Sequence, residues 1–132
     1  MILKKFLSAV ALMIFIAALC TGCGQNTYKH LTHDEAKALM ASNPDVIIAD
    51  VRTLQEFEKK HVLDALNIPL EDLREGNFSQ LPDKNATIII YCWTGRRAQD
   101  AAEILIENDY RNVYEMGGIV DWTGSVAGTD IK

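Results

Sequence analysis

The run Thr87-Ile88-Ile89-Ile90-Tyr91 is the feature that most limits what this chain can become. It is β-branched and apolar with no polar alternation, so it predicts a strand covered on both faces, which belongs in a parallel sheet layered between helices. The surrounding pattern agrees. Tyr28 to His30 predicts a brief edge strand. Thr32 with Glu35 forms a capping-box pattern ahead of Ala36, Leu39 and Met40, and Asn43-Pro44-Asp45 ends that helix in a turn. Val46-Ile47-Ile48-Ala49 predicts a second buried strand. Thr53 with Glu56 opens a helix running towards His61, and Ala65 to Ile68 is a short strand stopped by Pro69. From Arg97 onward, Ala98, Ala101, Ala102 and Leu105 recur at helical spacing. Asn112-Val113-Tyr114 predicts a last strand, and Gly117-Gly118 a flexible turn before a short terminal helix. Strands alternating with helices predict an α/β fold, a central mainly parallel sheet with helices on both faces.

The first residues are set aside from that fold. Lys4 and Lys5 precede an apolar run from Phe6 to Leu19 broken only by Ser8. The run is shorter than the roughly 20 residues of a membrane span and fits a signal-peptide core. Gly22-Cys23 after Leu19-Cys20-Thr21 resembles the lipobox of bacterial lipoproteins, although Cys20 stands where Leu is more usual. That resemblance implies a leader over residues 1–22, a lipidated Cys23 with a short tether over 23–27, and a domain over 28–132. The alternative is an uncleaved N-terminal anchor helix. Both predict an extracytoplasmic domain tethered to a membrane. Without the leader, 11 basic and 18 acidic residues remain, a net charge of −7 that gives no reason to expect a nucleic-acid partner. Cys92 is then the one thiol left, and an unpaired thiol in an exported domain calls for a chemical role.

Cys92 lies at the tip of the strongest strand, where open α/β sheets bind ligands. The segment Cys92-Trp93-Thr94-Gly95-Arg96-Arg97 leads into a helix. Backbone amides in such a loop and the helix N-terminus favour negative charge on an atom placed there. Gly95 allows the tight wrap, and Arg96 with Arg97 would draw an anionic substrate into an otherwise acidic molecule. A buried Cys as a small core hydrophobe is the competing reading, but the loop's composition favours a nucleophile or sulfur acceptor.

These residues resemble the active-site loop of single-domain rhodaneses, C-x-x-G-x-R followed by a small residue, here Ala98. Ile48-Ala49-Asp50-Val51-Arg52 resembles the family's D-V-R strand end. Glu56-Phe57 and His61-Val62-Leu63-Asp64-Ala65-Leu66-Asn67-Ile68-Pro69 resemble its E-F and G-H-I-x-G-A-x-N-I-P elements, and Gly117-Gly118-Ile119 with Trp122 its terminal element. The resemblance implies a sulfurtransferase: Cys92 takes sulfane sulfur from a donor such as thiosulfate, holds it as a persulfide, and passes it to a thiol or cyanide. Arg97, with Arg96, would orient the donor's oxyanion. Related phosphatases and arsenate reductases use C-x5-R, whereas here Ala98 occupies that sixth place, so the loop suits sulfur rather than phosphate. In the family Asp50 and Arg52 are mostly structural, His61 orders its turn, and Trp93 either lines the pocket mouth or packs on the domain. No cofactor is implied, and His30 and His33 lack the spacing of a metal site. Lys60 and Leu63-Asp64 replace the family's usual glycine and Pro-Gly, which predicts a differently shaped rim. Two alternatives stay open beside turnover: a persulfide carrier loaded by a protein partner, and a thiol redox sensor.

Overall fold

The computed structural model describes residues 24–130; the expected leader and Cys23 lie outside the described residues. The elements are β1 (Lys29–His30), α1 (His33–Ser42), β2 (Ile47–Asp50), α2 (Leu54–Lys59), β3 (His61–Val62), β4 (Leu66–Asn67), α3 (Leu70–Arg74), β5 (Thr87–Cys92), α4 (Arg96–Glu107), β6 (Asn112–Gly118), a 3-10 turn (Ile119–Asp121) and β7 (Val126–Ala127). Five strands form one sheet in the order β1-β6-β5-β2-β4, every neighbouring pair parallel. The central strand is β5, the run that reads as buried from sequence alone.

Side chains of β5 alternate between two cores, as a strand's period of two requires. Ile88, Ile90 and Cys92 pack on one face with Leu70 and Leu73 of α3 and Ala98, Ala101, Ala102 and Leu105 of α4. Ile89 and Tyr91 face the other way, towards Ala36 of α1, Val62 and Ala65. Both capping boxes form: Thr32 and Thr53 each accept from the amide three residues on, and Glu35 and Glu56 reach back to the cap amides.

Three features depart from the sequence pattern. Gly117-Gly118 is not a turn: β6 continues through both glycines before the 3-10 turn. An additional helix, α3, follows Pro69, which serves as its N-cap. A second small sheet pairs β3 antiparallel with β7, aligning His61 with Ala127 and Val62 with Val126. Segments of two residues carry too little pattern to announce themselves, and β7 forms because β3 offers it a free edge.

The rim turn shows how the unusual residues fit. Lys60 is extended at φ −162° and needs no glycine. Asp64 adopts φ 65°, so the left-handed position usually filled by glycine is kept and filled by aspartate. Asp tolerates that region better than most residues. Asp64→Ala is therefore expected to destabilise the fold by about 1 kcal/mol while Asp64→Gly does not. Urea midpoints of the three proteins check this.

Candidate active site

The site is assembled at the carboxyl ends of β2, β4, β5 and β6. β5 and β6 shift register between Ile90 and Cys92, so that Cys92 comes opposite Gly118. The chain then turns through Trp93, Thr94 and Gly95 into α4. Gly95, at φ 120°, is the N-cap and has no side chain with which to cap the helix. The sulfur of Cys92 takes that place: the Gly95 amide donates to Sγ at 3.0 Å. An acceptor at a helix N-terminus meets both free N–H groups and the positive end of the helix dipole. Cys92 itself is 1% exposed, and among the described residues it is a free thiol.

Gly118 of β6 and Gly95 shape the loop by having no side chains. A Cβ on Gly118 would lie 2.0 Å from the Trp93 carbonyl oxygen and 2.6 Å from Thr94 Cα. A Cβ on Gly95 would stand 3.2 Å from Gly117 Cα. The Val120 amide then donates to the Trp93 carbonyl at 3.2 Å, tying the loop to the 3-10 turn. Backbone packed on backbone thus holds the sulfur's surroundings in shape.

Of the two arginines, Arg96 is exposed and makes no ion pair among the described residues. Arg97 is half-buried and carries a bidentate pair with Glu56, Nη1 to Oε2 at 2.8 Å and Nη2 to Oε1 at 3.0 Å. The Glu56 carboxylate raises the proton affinity of the Arg97 guanidinium most, and the Cys92 sulfur beside it adds to the effect. Hydrogen bonding to Arg97, followed by the Thr53 amide and hydroxyl, lowers the Glu56 carboxyl to about 2 despite partial burial. Glu56 reaches the site through Arg97, whereas the sequence showed it only as a helix cap and part of the E-F element. Its signal was the capping box, which fixes where its carboxylate points but not what lies across from it.

Asp50 and Arg52 lie beneath the rim rather than in the loop. They are 0% and 3% exposed, and Arg52 donates from Nε and Nη2 to both Asp50 oxygens and from Nη2 to the Lys60 carbonyl at 2.6 Å. Tyr91 stacks near this pair, with its hydroxyl accepting from the Val62 amide at 3.0 Å. Burial, then the Asp50 carboxylate, pushes the Tyr91 phenol well above its ordinary range. His61 bonds the Phe57 carbonyl at 2.7 Å through Nδ1 and stacks on the Phe57 ring, which orders its turn. Trp93 is 47% exposed at the rim, and Trp122 packs partly buried against the second core. His30 pairs with the buried Glu115, whose other oxygen accepts from the Gly117 amide at 2.9 Å. His33 packs edge-on to Trp122. Among the described residues no three His, Cys, Asp or Glu gather in a metal-binding cluster.

Residues 32–125 match the rhodanese-like domain. A thiosulfate sulfurtransferase, GlpE, of Coxiella burnetii is 34% identical over 72% of this chain and 87% of its own length. Thiosulfate sulfurtransferase PspE of Escherichia coli is 42% identical over 54% of this chain and 69% of its own length. Among solved structures, a rhodanese with anions from E. coli superposes with a TM-score of 0.58 at 36% identity, covering 64% of this chain and 99% of that one. A rhodanese-like domain protein from Staphylococcus aureus gives 0.66 at 28% identity, covering 76% and 98%.

Gly118→Ala places its methyl group inside the Trp93 carbonyl, so the loop must move. The variant is expected to lose about 1–3 kcal/mol of stability and to change the alkylation rate of Cys92. Denaturant unfolding and iodoacetamide kinetics on one sample measure both.

Proposed function

The chain belongs to the rhodanese-like domain family and is a rhodanese-type sulfurtransferase, and we propose that Cys92 is its sulfur-carrying nucleophile, with thiosulfate serving as a donor. The observation that carries this reading is the position of Sγ, bonded to the Gly95 amide between the tip of β5 and the start of α4. In the proposed reaction the Cys92 thiolate attacks the outer sulfur of thiosulfate. The bond between the two donor sulfurs breaks, sulfite leaves with its electron pair, and Cys92 holds the transferred sulfur as a persulfide. The acceptor, cyanide or a thiol, then attacks that sulfur and restores the thiolate. Amides of the loop Trp93 to Arg97 offset the negative charge, and Arg96 draws in the anion. Asp50, Arg52 and His61 act through the shape of the rim.

A second reading, in which a protein partner loads Cys92, is favoured by the exposed apolar rim. Trp93 and Val120 are 47% and 48% exposed and are joined by the Val120 amide bond to the Trp93 carbonyl. The intact mass of the full chain in detergent, before and after thiosulfate, separates the readings. Gain of one sulfur atom, removed by cyanide and absent from Cys92→Ser, is expected. A folded, reduced protein that never gains it puts the carrier and redox-sensor readings first.

The domain is further proposed to be exported and held at a bacterial membrane through lipid on Cys23, on the strength of Lys4-Lys5, the apolar run and Gly22-Cys23. Among the described residues no helix is long and apolar enough to cross a membrane. Cys23→Ser is expected to move the protein out of the membrane fraction; an unchanged distribution on fractionation rejects the lipid anchor.

A further inference from the structure

We propose that the segment following Cys23 orients the domain on its membrane, with the amino-terminal pole of the sheet against the lipid surface and Cys92 at the far pole, facing water; this rests on the lipid-anchor reading above. The orientation gives Cys92 an acceptor from the aqueous phase, not one dissolved in the bilayer.

The sheet defines the two poles. All neighbouring strands are parallel, so every carboxyl end lies at one pole, and Cys92, opposite Gly118, lies there with them. The chain enters at the other pole. Asn26 donates from Nδ2 to the Tyr110 carbonyl at 2.6 Å, just ahead of β6. The same pole is closed by the Arg111 amide on the Lys84 carbonyl and by the Asn112 side chain on the Asn85 carbonyl. Tyr28 packs against the first core, and Asn26, Thr27 and Tyr28 line a cleft with Ile106 and Glu107 near the end of α4. The segment is therefore seated before β1 begins.

Chain reach turns this seat into an orientation. Cys23 is three residues from Asn26, a span of at most about 11 Å. Along β6 the rise from Asn112 to Gly118 is about 20 Å, at about 3.3 Å per residue. Lipid on Cys23 thus stays by the amino pole. A segment free as far as Lys29 would instead reach about 20 Å and allow either pole. Charge then decides between standing on that pole and lying along α4. The α4 flank beside the segment bears Glu103 and Glu107, exposed and without an ion pair among the described residues. Pressing them onto a bilayer would strip water from carboxylates. At the pole, the exposed Lys84 and Arg111 offset Asp83 and Asp109.

The chain's two tryptophans both lie at the site pole: Trp93 follows Cys92, and Trp122 follows the 3-10 turn and packs edge-on to His33 at the start of α1. Native emission therefore reports that pole without any substitution. The full lipidated chain is placed in phosphatidylcholine vesicles with and without a nitroxide quencher on the lipid headgroups. The unaltered chain is expected to show no loss of tryptophan emission in the quencher vesicles, while the added emission of Arg111→Trp, at the amino pole, is lost. Quenching of the unaltered chain, or an Arg111→Trp emission that survives, overturns the orientation and leaves the anchor in place. Should Arg111→Trp not fold, the unaltered chain decides alone. Intact mass of the same preparation separates the two readings: absence of lipid on Cys23 removes the anchor, and this inference with it.

Discussion

A carboxylate and a guanidinium taken out of water hold the catalytic end of this molecule together. Asp50 ends β2 and Arg52 follows two residues later, and the pair is closed by hydrogen bonds from the Arg52 amide, Nε and Nη2. Burying such charges is costly, and breaking one partner leaves the other uncompensated at about 3–5 kcal/mol. What offsets the cost is connectivity. Arg52 also holds the Lys60 carbonyl, Asn67 bonds the carbonyls of both Asp50 and Arg52, and the Ile68 amide bonds Asp50 again. One pair therefore fixes the ends of β2 and β4 and the start of β3. Among the described residues no buried side-chain nitrogen or oxygen is left without a partner.

On that platform the sulfur is held by backbone, with one paired cation beside it. The molecule carries more acid than base, and Arg97, the half-buried cation beside Cys92, is neutralised by Glu56. The Gly95 amide and the first turn of α4 act on Sγ beside that paired cation, and their positions are set by the close approach of Gly118 to Trp93 and Thr94. Fixed dipoles need no reorganisation when charge moves between sulfurs, which a mobile lysine or arginine would.

The fold was legible where the pattern was long. The strand from Thr87 and the helix bearing Ala98, Ala101, Ala102 and Leu105 carry enough period to be read without coordinates, and both capping boxes announce their helices. The position of Cys92 between them followed directly. Gly117-Gly118 was misread as a turn because glycine signals two different things, freedom of φ and room for another backbone; Gly117 uses the first, at φ 76°, and Gly118 the second, which is invisible until Trp93 is placed against it. The pairing of Glu56 with Arg97 was hidden for a similar reason. A capping glutamate needs only its own helix, whereas its pairing with Arg97 spans 41 residues and depends on the sheet bringing α2 beside α4. Local grammar is recorded in sequence; juxtaposition is a property of topology.

The small sheet of β3 and β7 has an effect on how the molecule comes into being. Gly128, at φ 135°, lies so close to Lys59 that a Cβ would stand 2.4 Å from its carbonyl oxygen, and the amides of Thr129 and Asp130 bond the carbonyls of Glu58 and Lys59. β1 likewise waits for β6 before it can join the sheet. The site's rim is thus fastened by residues made some 70 positions after it. During synthesis the nascent chain can collapse around β5 while its rim stays unlatched until the tail arrives.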